Sequence, residues 1–412
     1  MKSDHKAQFC EDGRDVAKFF LDGMMKTYWT PIYNIVYSNP KLKKFVTGFI
    51  VNPTSVSIYI GQKHIALEYH GSELYEDKGG TINMEVNVQD LSESDAPLLA
   101  QIIGFPNDST VGFEFPLPNF SEDFICPTNR GFDALDDLGW NMAAQNSIMA
   151  LNSPIPTPNE GEFSRIINGR FFDADKNGLV TRHVKWMDFF PIQFDGSDAE
   201  YDRIRFTLAP LEQMVEADSR YIYPAPTDYK FQKLPIINRF IELWGNSASG
   251  ETEITRFLAE ESHKFILTMK FGAVDAKPEI KCEWQSQQKA DIKPDFFMIQ
   301  PNGFADIVEF KLPHIGKSAV VGSDNRESFA AWLNSYISQT RVYANYFDDP
   351  NNRAWFEEKH KFRVYKPRRW LVVGRRKDFS PHEWREIIAD YRDVDIITFD
   401  DLIDGTTAQF YR

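Results

Sequence analysis

The sequence predicts an α/β protein: a C-terminal αβββαβ domain built on a mixed central sheet, preceded by a mixed α+β region. Three observations carry that reading. In the first half, "SVSIYIGQKHIALEYHG" and "GGTINMEVNVQDL" alternate apolar and polar residues at the period of a strand. Helical spacing appears in "RGFDALDDLGWNMAAQNSIMALN" and "LPIINRFIELWG". A small, polar, glycine-flanked stretch at 245–253, "GNSASGETE", then divides the chain into regions 1–245 and 251–412.

Past that boundary the elements follow in order. "ETEITRFLAEESHKFIL" reads as a helix, and "EIKCEW", "PDFFMI" and "ADIVEFKL" read as three strands. "ESFAAWLNSYISQTRVYANYF" is an amphipathic helix with Phe329, Trp332, Leu333, Tyr336, Ile337, Thr340, Tyr343 and Phe347 on one side. "RWLVVG" and "VDIITF" complete the sheet. Proline clusters at 106–127 and 154–158 mark loops in the first half.

Composition narrows the function classes. A chain of 412 residues with 42% hydrophobic content has the material for two or three folded domains. No apolar run is long enough to span a membrane, and the first twenty residues lack the apolar core of a signal peptide. Cys10, Cys126 and Cys282 are too scattered for a disulfide framework or a zinc cluster, so reduced thiols in a cytoplasmic protein are expected. The net charge of −14 argues against indiscriminate wrapping of nucleic acid. One segment departs from it: residues 359–377 hold nine Lys or Arg and no acid. Such a segment serves either phosphate contacts or the protection of a strand edge.

Other motifs lead nowhere. "FDADKNGLV" sets Asp173, Asp175, Asn177 and Gly178 at calcium-loop positions, but Val184 stands where a bidentate Glu is required, so it reads as a turn. There is no HExxH pair and no GxxxxGK[ST], so neither a zinc hydrolase nor a P-loop nucleotide site is expected.

The informative stretch is "KPDFFMIQPNGFADIVEFKLP". Pro301-Asn302-Gly303 suits a three-residue hairpin loop with Gly in the left-handed position. Gln300 then pairs with Phe304, and Asp295 falls opposite Glu309. Opposed residues of an antiparallel ladder share a face, and Lys311, two residues on, shares it too. Two facing carboxylates repel unless a positive group lies between them, which a divalent cation would supply. The competing reading is a charge ladder on an exposed sheet face. That would call for polar neighbours, whereas Ile307 shares the face and Val308, Phe310 and Leu312 fill the other.

This arrangement resembles the PD-(D/E)XK nucleases, through Pro294-Asp295 and Glu309-Phe310-Lys311. The resemblance implies a restriction-endonuclease-like domain in which Asp295, Glu309 and the Phe310 carbonyl hold Mg²⁺, with Mn²⁺ able to substitute. Lys311 would position the attacking water, and neighbouring carboxylates should keep it protonated. Gln339 and Tyr343, four apart in "SQTRVYANY", look like the QxxxY element of RecB-like members, which adds Gln339 to the catalytic set. A first-helix acid is also implied. Rotation at about 100° per residue favours Glu261, while the family pattern ahead of "ITRFL" favours Glu253; Glu253 is taken.

The segment from about 251 to 405 further resembles the nuclease domain of the Shedu family of prokaryotic anti-phage defence proteins. It does so through "EITRFLAEE", "KPDFFMI", "ADIVEFKLP", "SQTRVYANY", "RRWLVVGRR" and "DIITFDDLI". That resemblance implies an endonuclease that hydrolyses double-stranded DNA of phage or other foreign origin and leaves a 5′-phosphate. It also implies a homo-oligomer, a tetramer, with the front region regulating activity or clamping DNA. Phosphate contacts are expected from Lys366, Arg368, Arg369, Arg375 and Arg376, and from Lys317 and Arg326 in the loop after the active strand. A repair or restriction-like nuclease and a catalytically silent DNA-binding scaffold are the competing readings.

Overall fold

The computed structural model describes residues 8–10, 13–77, 84–106, 115–138, 140, 155–195, 202–223, 233–286, 289–315, 318–323 and 326–411. The chain forms two compact units. The first comprises Met1–Phe132, Ser147–Asp173 and Thr181–Thr227, and the second Asp133–Asn146, Ala174–Val180 and Asp228–Arg412. The helix Leu234–Gly245, which the sequence places in the front region, thus goes with the second unit. Among the described residues, no helix is long and apolar enough to cross a membrane.

The first unit is built on a large, mainly antiparallel sheet. Its main path runs Gln8–Cys10, Asp202–Phe206, Gly178–Asp195, His64–His70, Ser55–Ile60 and Glu85–Asp90. The last pair is parallel. Both strands read from "SVSIYIGQKHIALEYHG" form, and they pair with each other. The longest hairpin, Ser164–Asp175 with Gly178–Asp195, was not foreseen: it is buried along most of its first arm, so the apolar/polar alternation is missing. "FDADKNGLV" lies at its tip and turns there, with the Asn177 N–H on Asp175 Oδ1 (2.7 Å). Asp173 is engaged elsewhere, accepting from Thr128 Oγ1 and Arg130. The proline-rich 106–127 region, expected as loop, contributes the short strands Phe120–Glu122 and Ile125–Pro127. Of "RGFDALDDLGWNMAAQNSIMALN", the helix Asn129–Asp137 forms, and most of the rest lies outside the described residues.

A buried ionic cluster lies within this unit. The Arg165 guanidinium meets Asp188 (2.6 and 3.0 Å) and Asp218 (2.8 and 3.0 Å). Tyr28 donates to Asp218 (2.6 Å), and the Trp186 ring centre lies 4.5 Å from the guanidinium. A buried cation is tolerable here because two carboxylates and an aromatic face surround it.

The second unit contains a mixed sheet in the order Asp275–Pro278, Phe296–Ile299, Ala305–Phe310, Arg369–Val372, Asp395–Ile397. The first two neighbouring pairs are antiparallel and the last two parallel. On one face, the helix Ala331–Tyr346 packs Leu333, Ile337, Tyr343 and Tyr346 toward Ile307 and Leu371. On the other, Phe296, Phe310 and Phe399 form an aromatic chain that continues to Trp244 and Phe240.

Two expected elements differ. The helix over "ETEITRFLAEESHKFIL" is two, Glu251–Ala259 and Phe265–Phe271, because Glu260 leaves helical backbone (ψ 138°) and His263 Nδ1 folds back onto the Phe257 carbonyl. "EIKCEW" is not a strand: Glu279 takes a positive φ of 50°, which ends the extended run. The edge strand is instead the preceding Asp275–Pro278.

Candidate active site

The site is assembled by the hairpin Phe296–Ile299/Ala305–Phe310. Its register pairs Phe296 with Val308 and Ile299 with Ala305, the register expected from the Pro301-Asn302-Gly303 loop. Gln300 N–H donates to the Phe304 carbonyl (2.8 Å), and Gly303 has φ +82°, a conformation that glycine adopts without cost. The next step of the register brings Asp295 level with Glu309. Asp295 Oδ2 accepts from the Phe310 N–H at 2.7 Å.

Glu309 is the centre. It is 2% exposed, and its Oε1 receives Lys311 Nζ (2.8 Å), Gln339 Nε2 (2.7 Å) and the Tyr343 hydroxyl (3.4 Å). Its Oε2 is buried and has no side-chain hydrogen-bond partner, while the Asp295 main-chain N–H lies near enough to the carboxylate to favour its charge. Gln339 also donates to the Tyr343 hydroxyl (2.6 Å), so the four-residue spacing on the helix orients both groups toward the same carboxylate.

From the first helix it is Glu251 that reaches this cluster, whereas the expected Glu253 points to solvent. Lys311 Nζ lies 3.1 Å from Glu251 Oε1, while Glu253 is exposed. Glu251 shares a helix face with buried Ile254 and Leu258, three and seven residues on. The same rotation that favoured Glu261 would have found it. Glu261 is itself exposed and paired with Lys264 (2.6 Å).

The electrostatics follow from burial. Asp295 is pushed up to about 7, first by burial and then by the Glu309 charge, with the Phe310 N–H opposing. Burial also raises Glu309, against the pull of Lys311. For Lys311, burial disfavours the charge, but the Glu309 and Glu251 carboxylates outweigh it and its pKa rises. Lys311 is therefore an ammonium at neutral pH, a donor rather than a base.

Among the described residues, no three His, Cys, Asp or Glu side chains gather as a metal-binding group. The donor set here is two carboxylates, with the Phe310 main-chain oxygen alongside in sequence. That suits Mg²⁺, which keeps several waters and is usually held by one or two carboxylates and substrate phosphate. The buried, unpartnered Glu309 Oε2 is the orphan atom that such an ion would satisfy.

The expected phosphate contacts divide by strand end. Gly374 N–H donates to the Leu312 carbonyl, so Arg375 and Arg376 follow the end of the sheet that carries Glu309 and Lys311. Lys366, Arg368 and Arg369 lie at the other end, since Arg369 pairs with Ile307. Arg369 is buried, bonded to the Asp393 carbonyl and Thr340, and is not a surface cation. Arg368 is paired with Asp395, and Arg376 with Asp401 and Asp404. Arg326 and Lys366 are exposed, and Lys317 lies outside the described residues. Much of the basic segment's charge is thus neutralised in place, Lys359, Arg363 and Lys377 included.

Comparison with known proteins bears on this unit alone. Residues 248–403 match the family model described as Shedu protein SduA, C-terminal. No curated protein matches the chain. The matched span begins just before the Glu251 helix and ends within the last one, enclosing the whole site. Over those residues, a little more than a third of its length, the chain is similar to the C-terminal domain of the Shedu protein SduA.

Proposed function

We propose that the second unit is a Mg²⁺-dependent DNA endonuclease that acts in defence against phage or other foreign DNA. The observation that carries this reading is the state of Glu309. One of its oxygens is held by Lys311, Gln339 and Tyr343, the other is buried and unpartnered, and a second carboxylate of raised pKa, Asp295, lies close enough to feel its charge. A structural ion pair has no need of that arrangement, and burying an unsatisfied carboxylate oxygen is costly. The similarity of residues 248–403 to the C-terminal domain of the Shedu protein SduA supports the defence context.

In this reading Asp295, Glu309 and the Phe310 carbonyl hold the ion, and Mn²⁺ serves in place of Mg²⁺. Bound there, the metal would acidify a water and stabilise the charge that develops on the phosphodiester. Lys311 donates hydrogen bonds to the attacking water or a phosphate oxygen, and its charge offsets that of the transition state. Gln339 and Tyr343 fix the rotamer of Glu309. Glu251 accepts a second hydrogen bond from Lys311. Arg375 is the expected phosphate contact best placed near this end of the sheet. Double-stranded DNA is the substrate, and the chain assembles with itself, as the family resemblance implies.

The test is cleavage of linear and circular DNA with Mg²⁺ or Mn²⁺, comparing wild type with Asp295→Ala, Glu309→Ala and Lys311→Ala. The reading expects cleavage by wild type and a loss of at least about a hundredfold in each variant. Equal cleavage by all four would refute it, and DNA binding without cleavage by wild type would favour a scaffold.

A further inference from the structure

A cavity of about 270 Å³ opens beside the catalytic lysine, lined by Lys311, Leu312, His314, Ile315, Trp332 and Tyr336 among others. Lys311 thus belongs both to the carboxylate cluster and to the cavity wall. We infer that this cavity is a stacking subsite for one unpaired nucleobase of the strand being cut. The inference rests on the nuclease reading above.

The helix Ala331–Tyr346 supplies the first argument. Trp332, Tyr336, Gln339 and Tyr343 follow at intervals of four, three and four, so they share one helix face. Gln339 and Tyr343 end on Glu309. One turn earlier, the Tyr336 ring centre lies 5.4 Å from Lys311 Nζ, and Trp332 packs edge-on to Tyr336 with centres 5.8 Å apart. At about 1.5 Å rise per residue, Trp332 is about 10 Å along the helix from Gln339. That is within reach of a nucleotide next to the attacked phosphate.

Burial supplies the second. Leu333, Ile337, Tyr343 and Tyr346 of this helix are buried, whereas Trp332 and Tyr336 stay half-exposed at the cavity. Leu312 is 45% exposed on the facing wall. Aromatic and apolar faces left open beside a cation, with no acid in the lining, are what a base and its flanking phosphate require. The volume lies below that of sites for drug-sized ligands, which suits a single ring system. A base within a duplex shows only its edges, so an occupant must first leave the stack. The site therefore favours DNA with an unpaired base beside the cleaved phosphate.

The experiment uses the full chain in EDTA, with a short duplex carrying 2-aminopurine either as a single-base bulge or paired, and a dye on one end. Anisotropy of the dye reports binding, and 2-aminopurine emission reports stacking. Wild type should bind the bulged duplex about tenfold more tightly and quench the bulged base, in line with the stacking contribution of one aromatic ring. Trp332→Ala should lose both effects, and Trp332→Phe should keep them. If Trp332→Ala does not fold, as judged by its melting temperature, Trp332→Leu takes its place. Equal affinity for both duplexes, or a preference that survives loss of the ring, overturns the inference while leaving the nuclease reading intact. Absence of any DNA binding by wild type removes the DNA substrate itself, and this subsite with it.

Discussion

Gln339 Nε2 lies 2.7 Å from Glu309 Oε1, and that contact commits one carboxylate oxygen to the helix and leaves Oε2 without a partner. Gln339→Ala should free the carboxylate to rotate. The expected result is a loss of Mg²⁺-dependent cleavage of about 10–100-fold, the usual effect of removing a partner that orients a metal ligand. Raising the Mg²⁺ concentration should recover part of it.

The first helix offers a discriminating pair. Glu251→Gln should lower cleavage by about tenfold or more, because Lys311 loses a charged partner at 3.1 Å. Glu253→Gln should leave cleavage near wild type, since Glu253 is exposed. Equal losses would show that helix charge, not contact with Lys311, is what matters.

Much of this site was legible in the sequence, and the gaps have physical causes. The Pro301-Asn302-Gly303 loop fixed the register of the hairpin, which placed Asp295, Glu309 and Lys311 on one face. Gln339 and Tyr343 were legible because helix geometry puts residues four apart side by side. Glu251 was less legible because it and Glu253 both stand in the first turn of their helix, where any acid is favoured by the helix dipole, so residue type alone does not single one out. The edge strand was misplaced because Ile280, Cys282 and Trp284 alternate like a strand, while Asp275–Pro278 has almost no apolar signal and is held by its pairing with Phe296–Ile299. The neutralisation of the basic segment depends on partners such as Asp395, Asp401 and Asp404, which local sequence cannot assign.

Asp295 predicts a pH dependence. An acid whose folded pKa of about 7 lies above its unfolded value stabilises the metal-free fold fully below about pH 4. That contribution falls as pH rises through about 7 and is lost above it. Asp295→Asn should therefore gain stability relative to wild type between about pH 4 and pH 8, by about 2–4 kcal/mol in denaturant titrations without metal. Because protons and metal compete for the pair, added Mg²⁺ should raise the wild-type melting temperature more at about pH 8 than at about pH 5.5.

The two strand ends predict unequal roles for the arginines and lysines. Arg375→Ala should weaken DNA binding and lower the slope of log affinity against log salt by about 1, as for one lost phosphate contact. Lys366→Ala, at the opposite end of the sheet, should change neither.

In the first unit, Arg165→Met would leave Asp188 and Asp218 buried without their cation. The expected cost is about 3–5 kcal/mol in chemical unfolding of the full chain. A cost below about 1 kcal/mol would mean that the carboxylates find water or protons instead.

The most direct measurement is Mn²⁺ binding followed by electron paramagnetic resonance in wild type, Asp295→Asn and Glu309→Gln, with DNA cleavage recorded at the same metal concentrations. Wild type should bind Mn²⁺ and cleave in proportion to occupancy, and both variants should lose the ion and the activity together. Equal Mn²⁺ affinity in all three, or cleavage that persists when the ion is gone, would contradict a metal held between Asp295 and Glu309.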